Sequence, residues 1–447
     1  MNGKSNGKLN YGRTFCIGLA FLSICSFWQM YDNIIPLILK NTFHLGETVT
    51  GVVMAMDNVL ALVLLPVFGT LSDKVDTPLG RRTPFIVVGT VSAVVFMMIL
   101  PTADNKANLV LFVAALFFTL LSMGLYRSPA VALMPDLTPE PLRSKANAVI
   151  NLMGAVGGVY ALIMIKLLVG KGDTPDYLPL FVSIAALMVL AVGILLITIR
   201  EKKLRAQIEE LEAQEGERAC AQETGAESTA VSDATEADRK MTKLSPEVKR
   251  SMYFMLASIF LWFTAYNAVT TAFSRYTKVV WKMEGGSFAD CLMVATVAAI
   301  LSYIPIGSIS SKIGRKKTIL GGVLLMSVCY GAAIFAGTYT PLMNVAFALI
   351  GVGWAAINVN SYPMIVAMSA GGDIGKFTGT YYTFSMAAQI LTPILSGFLL
   401  ENVSYRTLFP YALVFSLLAF LTMTQVKHGD SRPERKKSRL ENFDVED

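Results

Sequence analysis

Twelve long apolar blocks constrain this chain more than any other feature of its sequence. Each block has the roughly 20 residues that a helix needs to cross the hydrocarbon core of a bilayer. Only 16% of the 447 residues are charged, whereas a soluble domain typically has about 25%. We therefore predict an all-α membrane protein with twelve transmembrane helices.

The apolar blocks fall into two groups of six, separated by a polar segment at 200–250. The first part of that segment is a plausible charged helix, with Leu204, Ile208 and Leu211 at helical spacing. The rest is polar and reads as a flexible linker. We predict an N-terminal six-helix bundle (1–199), a charged cytoplasmic linker (200–250), a C-terminal six-helix bundle (251–426) and a basic cytoplasmic tail (427–447). The predicted spans are 13–39, 48–71, 83–101, 108–135, 147–169, 178–199, 251–279, 288–311, 317–338, 342–367, 378–400 and 406–426.

Lysine and arginine residues mark one side of the membrane. Of the 38 basic residues, 29 lie in the amino terminus, the loops after even-numbered spans and the carboxyl tail. Because basic residues accumulate in cytoplasmic loops, we expect both termini in the cytoplasm and the protein in the cell membrane. This placement accounts for the net charge of +6 without a nucleic-acid partner. Four of the five cysteines lie in apolar stretches, which excludes a disulfide-built secreted scaffold.

The two halves of the chain are related in sequence. The loop after the second span reads GTLSDKVDTPLGRR, and the loop after the eighth reads GSISSKIGRKK. Gly80 and Gly314 begin the matching Gly-Arg pairs of these loops, and Pro129 and Pro363 match at the same offset of 234 residues. These matches indicate parallel six-helix repeats.

The Gly-x-x-x-Asp-Lys…Gly-Arg-Arg loop resembles the signature loop of major facilitator superfamily transporters. The fuller string GTLSDKVDTPLGRRTPFI, together with MPDLTPEPLRSKANAV after the fourth span, is similar to the sucrose-transporter branch. That branch is related to the glycoside–pentoside–hexuronide cation symporters. The resemblance implies a major-facilitator-type fold, with two six-helix pseudo-repeats moving about a central substrate site.

The signature loops are the predicted gating elements. Glycine permits close helix approach, Asp73 can accept hydrogen bonds at a helix amino terminus, and Arg81 and Arg82 can pair with carboxylates or lipid phosphates. The resemblance implies that this set latches the outward-open state; the alternative is a positive anchor with no gating role. The predicted gating residues are Gly69, Asp73, Gly80, Arg81, Arg82, Asp136, Arg143, Gly314 and Arg315.

Ionisable residues inside spans point to coupling, because each is costly in hydrocarbon and usually faces a cavity or a partner. Asp32 and Asp57 lie at one depth on consecutive helices, where two carboxylates can raise one another's affinity for a proton. Arg127 lies deeper, so a direct ion pair with either acid is not assured. We predict that these three residues carry proton coupling, the alternative being static helix contacts. Lys166 and Arg275, near helix ends, are expected to snorkel to the interface.

The second half offers amides, aromatics and hydroxyls in place of charges. Such groups suit a neutral polyhydroxylated ligand, although each can equally mediate helix packing. The predicted substrate-binding residues are Trp28, Gln29, Tyr31, Asn58, Tyr126, Tyr266, Asn267, Asn358 and Gln389.

These features predict a secondary active transporter, a proton-coupled symporter of a sugar or glycoside that works by alternating access. Two alternatives stay open: an efflux antiporter for an amphiphilic or drug-like compound, and a transporter-derived membrane receptor. No nucleophile–base arrangement, metal-ligand spacing or phosphate-binding loop is visible, so we expect no enzyme activity, metal or cofactor. The driving force would be an ion gradient, with protons favoured and sodium left open as the alternative. The expected partners are the small-molecule substrate and the lipid bilayer, and the expected state is a monomer.

Overall fold

The structure, a computed structural model, describes residues 9–139, 142–208, 210, 245–368 and 374–430. Within these ranges, twelve helices are long and apolar enough to cross a membrane, which confirms the predicted number. They are α1 (Tyr11–Asn41), α2 (Glu47–Lys74), α3 (Thr83–Asn105), α4 (Leu109–Asp136), α5 (Arg143–Leu168), α6 (Leu178–Thr198), α7 (Pro246–Val279), α8 (Ala289–Ile313), α9 (Arg315–Ile334), α10 (Leu342–Ala367), α11 (Ile374–Asn402) and α12 (Leu408–Thr424).

Local sequence accounts for where several helices begin. The side chain of Asn10 accepts a hydrogen bond from the backbone N–H of Arg13, and Asn108 caps α4 in the same way. Ser245 caps α7, whose first residue is Pro246, so this helix begins within the stretch predicted as linker. Asn and Ser are favoured at this position because their oxygen satisfies an otherwise unpaired N–H group. Residues 201–208 form a further short helix directly after α6.

The helices form two six-helix halves, α1–α6 and α7–α12. In the first half α1 packs against α5 and α6, and α3 packs against α4; in the second half α8 and α9 pack against α10, and α7 packs against α12. The halves meet where α2 packs on α11, α5 on α8 and α1 on α7. This arrangement confirms the predicted pair of six-helix pseudo-repeats.

The two ends of the bundle differ in how closely the halves meet. We call the end with the α2–α3, α4–α5 and α8–α9 loops the basic end, and the other the opposite end. At the opposite end, a Cβ atom on Gly51 of α2 would overlap the backbone of Pro393 on α11, and one on Gly397 would overlap the backbone of Glu47. Because glycine has no side chain, the two helices approach to backbone contact. This contact closes the opposite end.

Candidate functional site

A cavity of about 690 Å³ lies between the two halves. It extends from the middle of α1 to the junction of α4 and α5 at the basic end, and its volume is within the range typical of small-molecule sites. Residues of both halves form its walls. The polar or aromatic lining residues include Phe21, Trp28, Gln29, Asp32, Arg127, Arg143, Asn147, Asn151, Thr296, Tyr303 and Tyr382.

Asp32 and Arg127 are the oppositely charged groups on this wall. In the described part of the chain, neither side chain makes a hydrogen bond or an ion pair. The Arg127 guanidinium lies 6.0 Å from the ring centroid of Trp28, which also lines the cavity. Ionisable residues inside membrane spans usually face a water-filled cavity or a partner. Asp32 and Arg127 both face the cavity and are only partly buried.

Asp57 is not among the residues that line the cavity, but it is close enough to Asp32 and Arg127 to interact with both electrostatically. Its carboxylate accepts hydrogen bonds from the backbone N–H of Asn58 at 2.6 Å and from the Asn58 side chain at 2.7 Å. The charge of Arg127 acts on Asp57, and the charge of Asp57 acts on Asp32. The structure thus brings the three predicted coupling residues into one electrostatic cluster, without a direct salt bridge from Arg127 to either acid.

The other predicted substrate residues of the first half lie away from the cavity surface. Tyr126 is fully buried in its own half, and its hydroxyl lies 2.6 Å from Ser23 Oγ and donates to the Ala20 carbonyl oxygen at 3.1 Å. Tyr31 is also buried and stacks on Phe27. Asn58 is engaged by Asp57, so only Trp28 and Gln29 of this group reach the cavity.

In the second half, the cavity wall uses residues that the sequence analysis did not select. Tyr266 stacks on Trp354 with ring centroids 3.7 Å apart, and the Gln389 amide donates to the carbonyl oxygen of Ser385 on its own helix. Asn267 and Asn358 are likewise absent from the lining. The cavity is instead faced by Thr296, Ile300, Tyr303 and Tyr382. The rotation of α7, α10 and α11 about their axes decides this outcome, and composition does not encode that rotation.

A polar stripe on α5 starts at Arg143, a predicted gating residue, and includes Asn147 and Asn151, which the sequence analysis missed. Arg143, Asn147 and Asn151 follow one another at intervals of four residues and all line the cavity. Residues four apart lie on one face of a helix, so the stripe was visible in the sequence as a polar face on an otherwise apolar span. It supplies amide groups next to the central charges.

The predicted gating loop of the first half is an ion-pair network. Arg82, which is almost fully buried, pairs with Asp73 at 2.5 Å and with Asp136 at 2.9 Å, and it donates to Ser72 Oγ at 2.5 Å. Its guanidinium also donates to the Gly69 carbonyl oxygen at 3.4 Å. The predicted pairing of Arg82 with carboxylates is therefore confirmed, and the loop joins α2, α3 and α4 of a single half.

A carboxylate that sequence reasoning did not select caps α3. Glu201, only 1% exposed, accepts hydrogen bonds from the backbone N–H groups of Arg81, Arg82 and Thr83 and from the Thr83 hydroxyl. We expected Asp73 to accept from a helix amino terminus; among the described residues it instead pairs with the Arg82 side chain. Glu201 occupies this capping position because the short helix at 201–208 begins directly beside the amino terminus of α3.

The corresponding loop of the second half, between α8 and α9, has a similar but smaller set of contacts. Gly80 and Gly314 have φ angles of 119° and 95°, which favour glycine. Asp430, after α12, accepts from the backbone N–H of Lys316 at 3.0 Å, as Glu201 does in the first half. Arg315 donates to the Pro363 carbonyl oxygen at 3.3 Å. Ser311 stands where the first loop has Asp73, and among the described residues it bonds only within its own helix.

Arg143, the remaining predicted gating residue, lies at the start of α5 and donates from Nε to the Thr138 carbonyl oxygen at 3.3 Å.

Replacing Glu201 by glutamine should destabilise the protein. The change removes a buried negative charge and one acceptor oxygen from a site where three N–H groups converge, at a cost of about 2–3 kcal/mol. The apparent Tm of the purified protein, followed by tryptophan fluorescence, should fall by roughly 4 °C or more. Lys202→Gln is the matched control, because its ion pair with Asp76 is exposed and contributes little. Equal stability of the two variants would contradict the capping role.

A buried charge cluster closes the opposite end. Arg275 of α7 donates from Nε to Glu47 of α2 at 2.6 Å, and both side chains are 4% exposed. Lys40 pairs with the same carboxylate at 3.2 Å, and the Tyr405 hydroxyl donates to Glu47 and accepts from Lys40. Four side chains from both halves thus share one site, which we call the Glu47 cluster.

The predicted snorkelling of Arg275 was wrong, because this residue is buried in the Glu47 cluster. Lys166 of α5 is exposed and pairs with Asp290 of α8 at 2.7 Å, so its snorkelling stays a prediction. Both residues pair with an acid of the other half. The signal available in the sequence was the presence of acids at the same membrane depth in the other half, since ion pairs across the interface satisfy both charges.

A sequence model of the Major Facilitator Superfamily matches residues 17–295 and 285–443. The chain therefore belongs to this superfamily of transporters, and it is not an enzyme. The fold agrees: the nucleoside transporter NupG aligns with 93% of this chain and all of its own length, with a TM-score of 0.65 and 16% identity. A POT family transporter solved in complex with 5-aminolevulinic acid aligns with 92% of this chain and 94% of its own, with a TM-score of 0.66 and 12% identity.

Curated relatives match over shorter stretches. The chloramphenicol resistance protein CraA of Acinetobacter baumannii is 30% identical over 122 residues, which is 27% of this chain and 29% of that protein. The sucrose transport protein SUC3 of Arabidopsis thaliana is 26% identical over 137 residues, which is 26% of this chain and 23% of that protein. Each of these two matches spans less than a third of the relative's length.

Proposed function

We propose that this protein is a proton-coupled symporter that imports a sugar or glycoside by alternating access. The observation that carries the proposal is the cluster of Asp32, Asp57 and Arg127 at the central cavity, where Asp32 and Arg127 make no ion pair with any described residue. Intramembrane acids next to a substrate cavity are the usual carriers of protons in transporters. The similarity to a sucrose transport protein supports the sugar.

The charge distribution sets the direction in which the cavity faces. The basic end lies in the cytoplasm by the positive-inside rule, so both termini are cytoplasmic and the cavity is on the inward-facing side. The Glu47 cluster and the backbone contacts of α2 with α11 seal the outer side. This is the inward-facing stage of the cycle, in a protein of the cell membrane that works as a monomer.

The cycle then follows from the cluster. In the outward-facing state Asp57 and Asp32 take up protons, which removes their negative charges. Arg127 and Asp57 interact electrostatically, so the loss of the negative charge on Asp57 removes an attraction on the Arg127 guanidinium. Substrate binds between the Trp28 side of the cavity and the hydroxyls of Tyr303 and Tyr382, and the two halves rock about it. Release to the cytoplasm accompanies loss of the protons.

Uptake into proteoliposomes tests this function. With an acidic exterior, a sugar or glycoside substrate should accumulate at least tenfold above equilibrium, because each proton moving down a gradient of one pH unit is worth a factor of ten. A protonophore should reduce uptake to equilibration, and replacing external sodium by potassium should leave it unchanged. Accumulation that follows sodium and survives the protonophore would contradict proton coupling.

A second candidate function is efflux of an amphiphilic drug-like compound by proton antiport. The similarity to the chloramphenicol resistance protein favours it, and a cavity of this volume accommodates such a compound. The same proteoliposomes distinguish the two functions. An interior-acidic gradient drives an antiporter to accumulate substrate, whereas a symporter requires the exterior to be acidic.

A further inference from the structure

We propose that the transported substrate carries a carboxylate or an equivalent single negative charge, and that Arg127 binds it. This inference rests on the proposed proton coupling and adds the chemical class of the substrate. It starts from Arg127, which reaches the cavity surface from α4 and, in the described ranges, makes no hydrogen bond or ion pair.

The charge balance of the central cluster favours an anion in the loaded state. With both acids ionised, Asp32, Asp57 and Arg127 together carry one negative charge. With protons on both acids, the guanidinium of Arg127 is left as a cation without a counter-charge. Arg127 is only partly buried, but when the halves close around the substrate and water is excluded, a cation without a counter-charge becomes costly. A substrate with one negative charge restores neutrality at the moment when the carrier is protonated and loaded.

The rest of the cavity wall adds no anion that could serve instead. The other ionised side chain on it is Arg143, also a cation, whose Nε donates to the Thr138 carbonyl oxygen. The remaining polar wall consists of the amides of Gln29, Asn147 and Asn151 and the hydroxyls of Thr296, Tyr303 and Tyr382. In the described part of the chain, the wall thus has two guanidinium groups and one carboxylate. Protonation of that carboxylate leaves no anionic group among the described lining residues.

The geometry around Arg127 suits an anionic group attached to a larger body. The guanidinium carbon lies 6.0 Å from the centroid of the Trp28 ring, and none of the Arg127 N–H groups donates to an acceptor among the described residues. A guanidinium binds a carboxylate with two parallel hydrogen bonds, and this fork gives both affinity and orientation. The Trp28 ring and the amides beside it can then cover the apolar and hydroxylated faces of the same molecule.

A matched pair of probes tests the proposal on the purified full-length protein. 4-Nitrophenyl β-D-glucuronide and 4-nitrophenyl β-D-glucoside differ only in a carboxylate against a hydroxymethyl group. Binding is followed by thermal stabilisation at about pH 6, where a uronic acid is ionised. We expect the glucuronide to bind at least tenfold more tightly than the glucoside.

Arginine variants assign the effect to one residue. Arg127→Gln should bring the two probes within about twofold of each other, because the guanidinium fork is lost, and Arg127→Lys should keep part of the preference, because it keeps the charge. Arg250→Gln is the matched control, since Arg250 lies on α7 outside this cavity, and it should leave the preference intact. Equal binding of the two probes by the native protein, failure of the glucuronide to bind, or a preference that survives Arg127→Gln would overturn the proposal.

These outcomes are independent of the proposed function. A carboxylate preference that depends on Arg127, in a protein whose uptake ignores the pH gradient, would support the anion site and contradict the proton coupling. Proton-driven uptake of neutral glycosides, with no preference for the acid, would support the symport and contradict the anion site.

Discussion

Asp57→Asn is expected to abolish substrate accumulation driven by a pH gradient, with at least a tenfold loss relative to the native protein. Asparagine has nearly the size and shape of aspartate, so α2 should keep its packing. It cannot take up or release a proton, and it cannot change the field at Arg127, whose charge acts on this position. Exchange of labelled for unlabelled substrate should persist, because exchange needs no net proton movement.

The measurement compares accumulation and exchange in proteoliposomes. Asp76→Asn is the matched control: Asp76 lies in the α2–α3 loop, where it forms an exposed pair with Lys202. That control should accumulate substrate as the native protein does. Gradient-driven accumulation by Asp57→Asn at the native level would remove Asp57 from the coupling mechanism.

Glu47→Gln is expected to open the opposite end of the bundle and to destabilise the protein. The change leaves the buried guanidinium of Arg275 without its partner, and it removes the counter-charge of Lys40. Breaking a buried pair by removing one member typically costs about 3–5 kcal/mol. Since the cluster joins the two halves, much of that cost falls on the conformation in which this end is closed.

Two measurements test the effect of Glu47→Gln. First, the apparent Tm of the purified protein should fall. Second, in a protein without native cysteines, a cysteine introduced by Ser274→Cys, beside Arg275 on α7, should react faster with an impermeant maleimide when Glu47→Gln is also present. Ser274 is fully buried when the end is closed, so its reactivity reports opening.

Two further variants separate the Glu47 cluster from a general effect on the interface. Glu401→Gln removes an exposed acid that bonds Thr48 at the same end, and it should change little. Glu47→Gln combined with Arg275→Gln should recover part of the lost stability, because no unpaired guanidinium remains. A double variant less stable than Glu47→Gln alone would show that the charges do not act as a pair.

Much of the fold was predictable because the bilayer imposes its rules on local sequence. Helix number followed from the length of the apolar blocks, and the repeat followed from matching loops around Gly80 and Gly314. The pairing of Arg82 with carboxylates was predicted from its loop alone, and its partners Asp73 and Asp136 lie on flanking helices; its gating role stays a prediction. Trp28, Gln29, Asp32 and Arg127 reach the cavity as expected of substrate or coupling residues.

The remaining site residues depended on contacts between distant parts of the chain. Tyr266 and Gln389 have suitable chemistry, yet ring stacking and a backbone hydrogen bond engage them within the second half. Glu201 resembled any charged linker residue until its short helix placed it on α3. Arg275 looked like a snorkelling residue because its partner, Glu47, is 228 positions away.

The sequence by itself determined the twelve spans, the two repeats and the side of the membrane on which positive charge gathers. These properties follow from the cost of placing each residue in hydrocarbon or water, which depends on local composition. Only the tertiary structure decided which polar side chains face the cavity, which charges pair across the halves, and that Arg127 is left without a partner among the described residues. Those outcomes depend on how each helix is rotated about its axis, and packing against neighbouring helices sets that rotation.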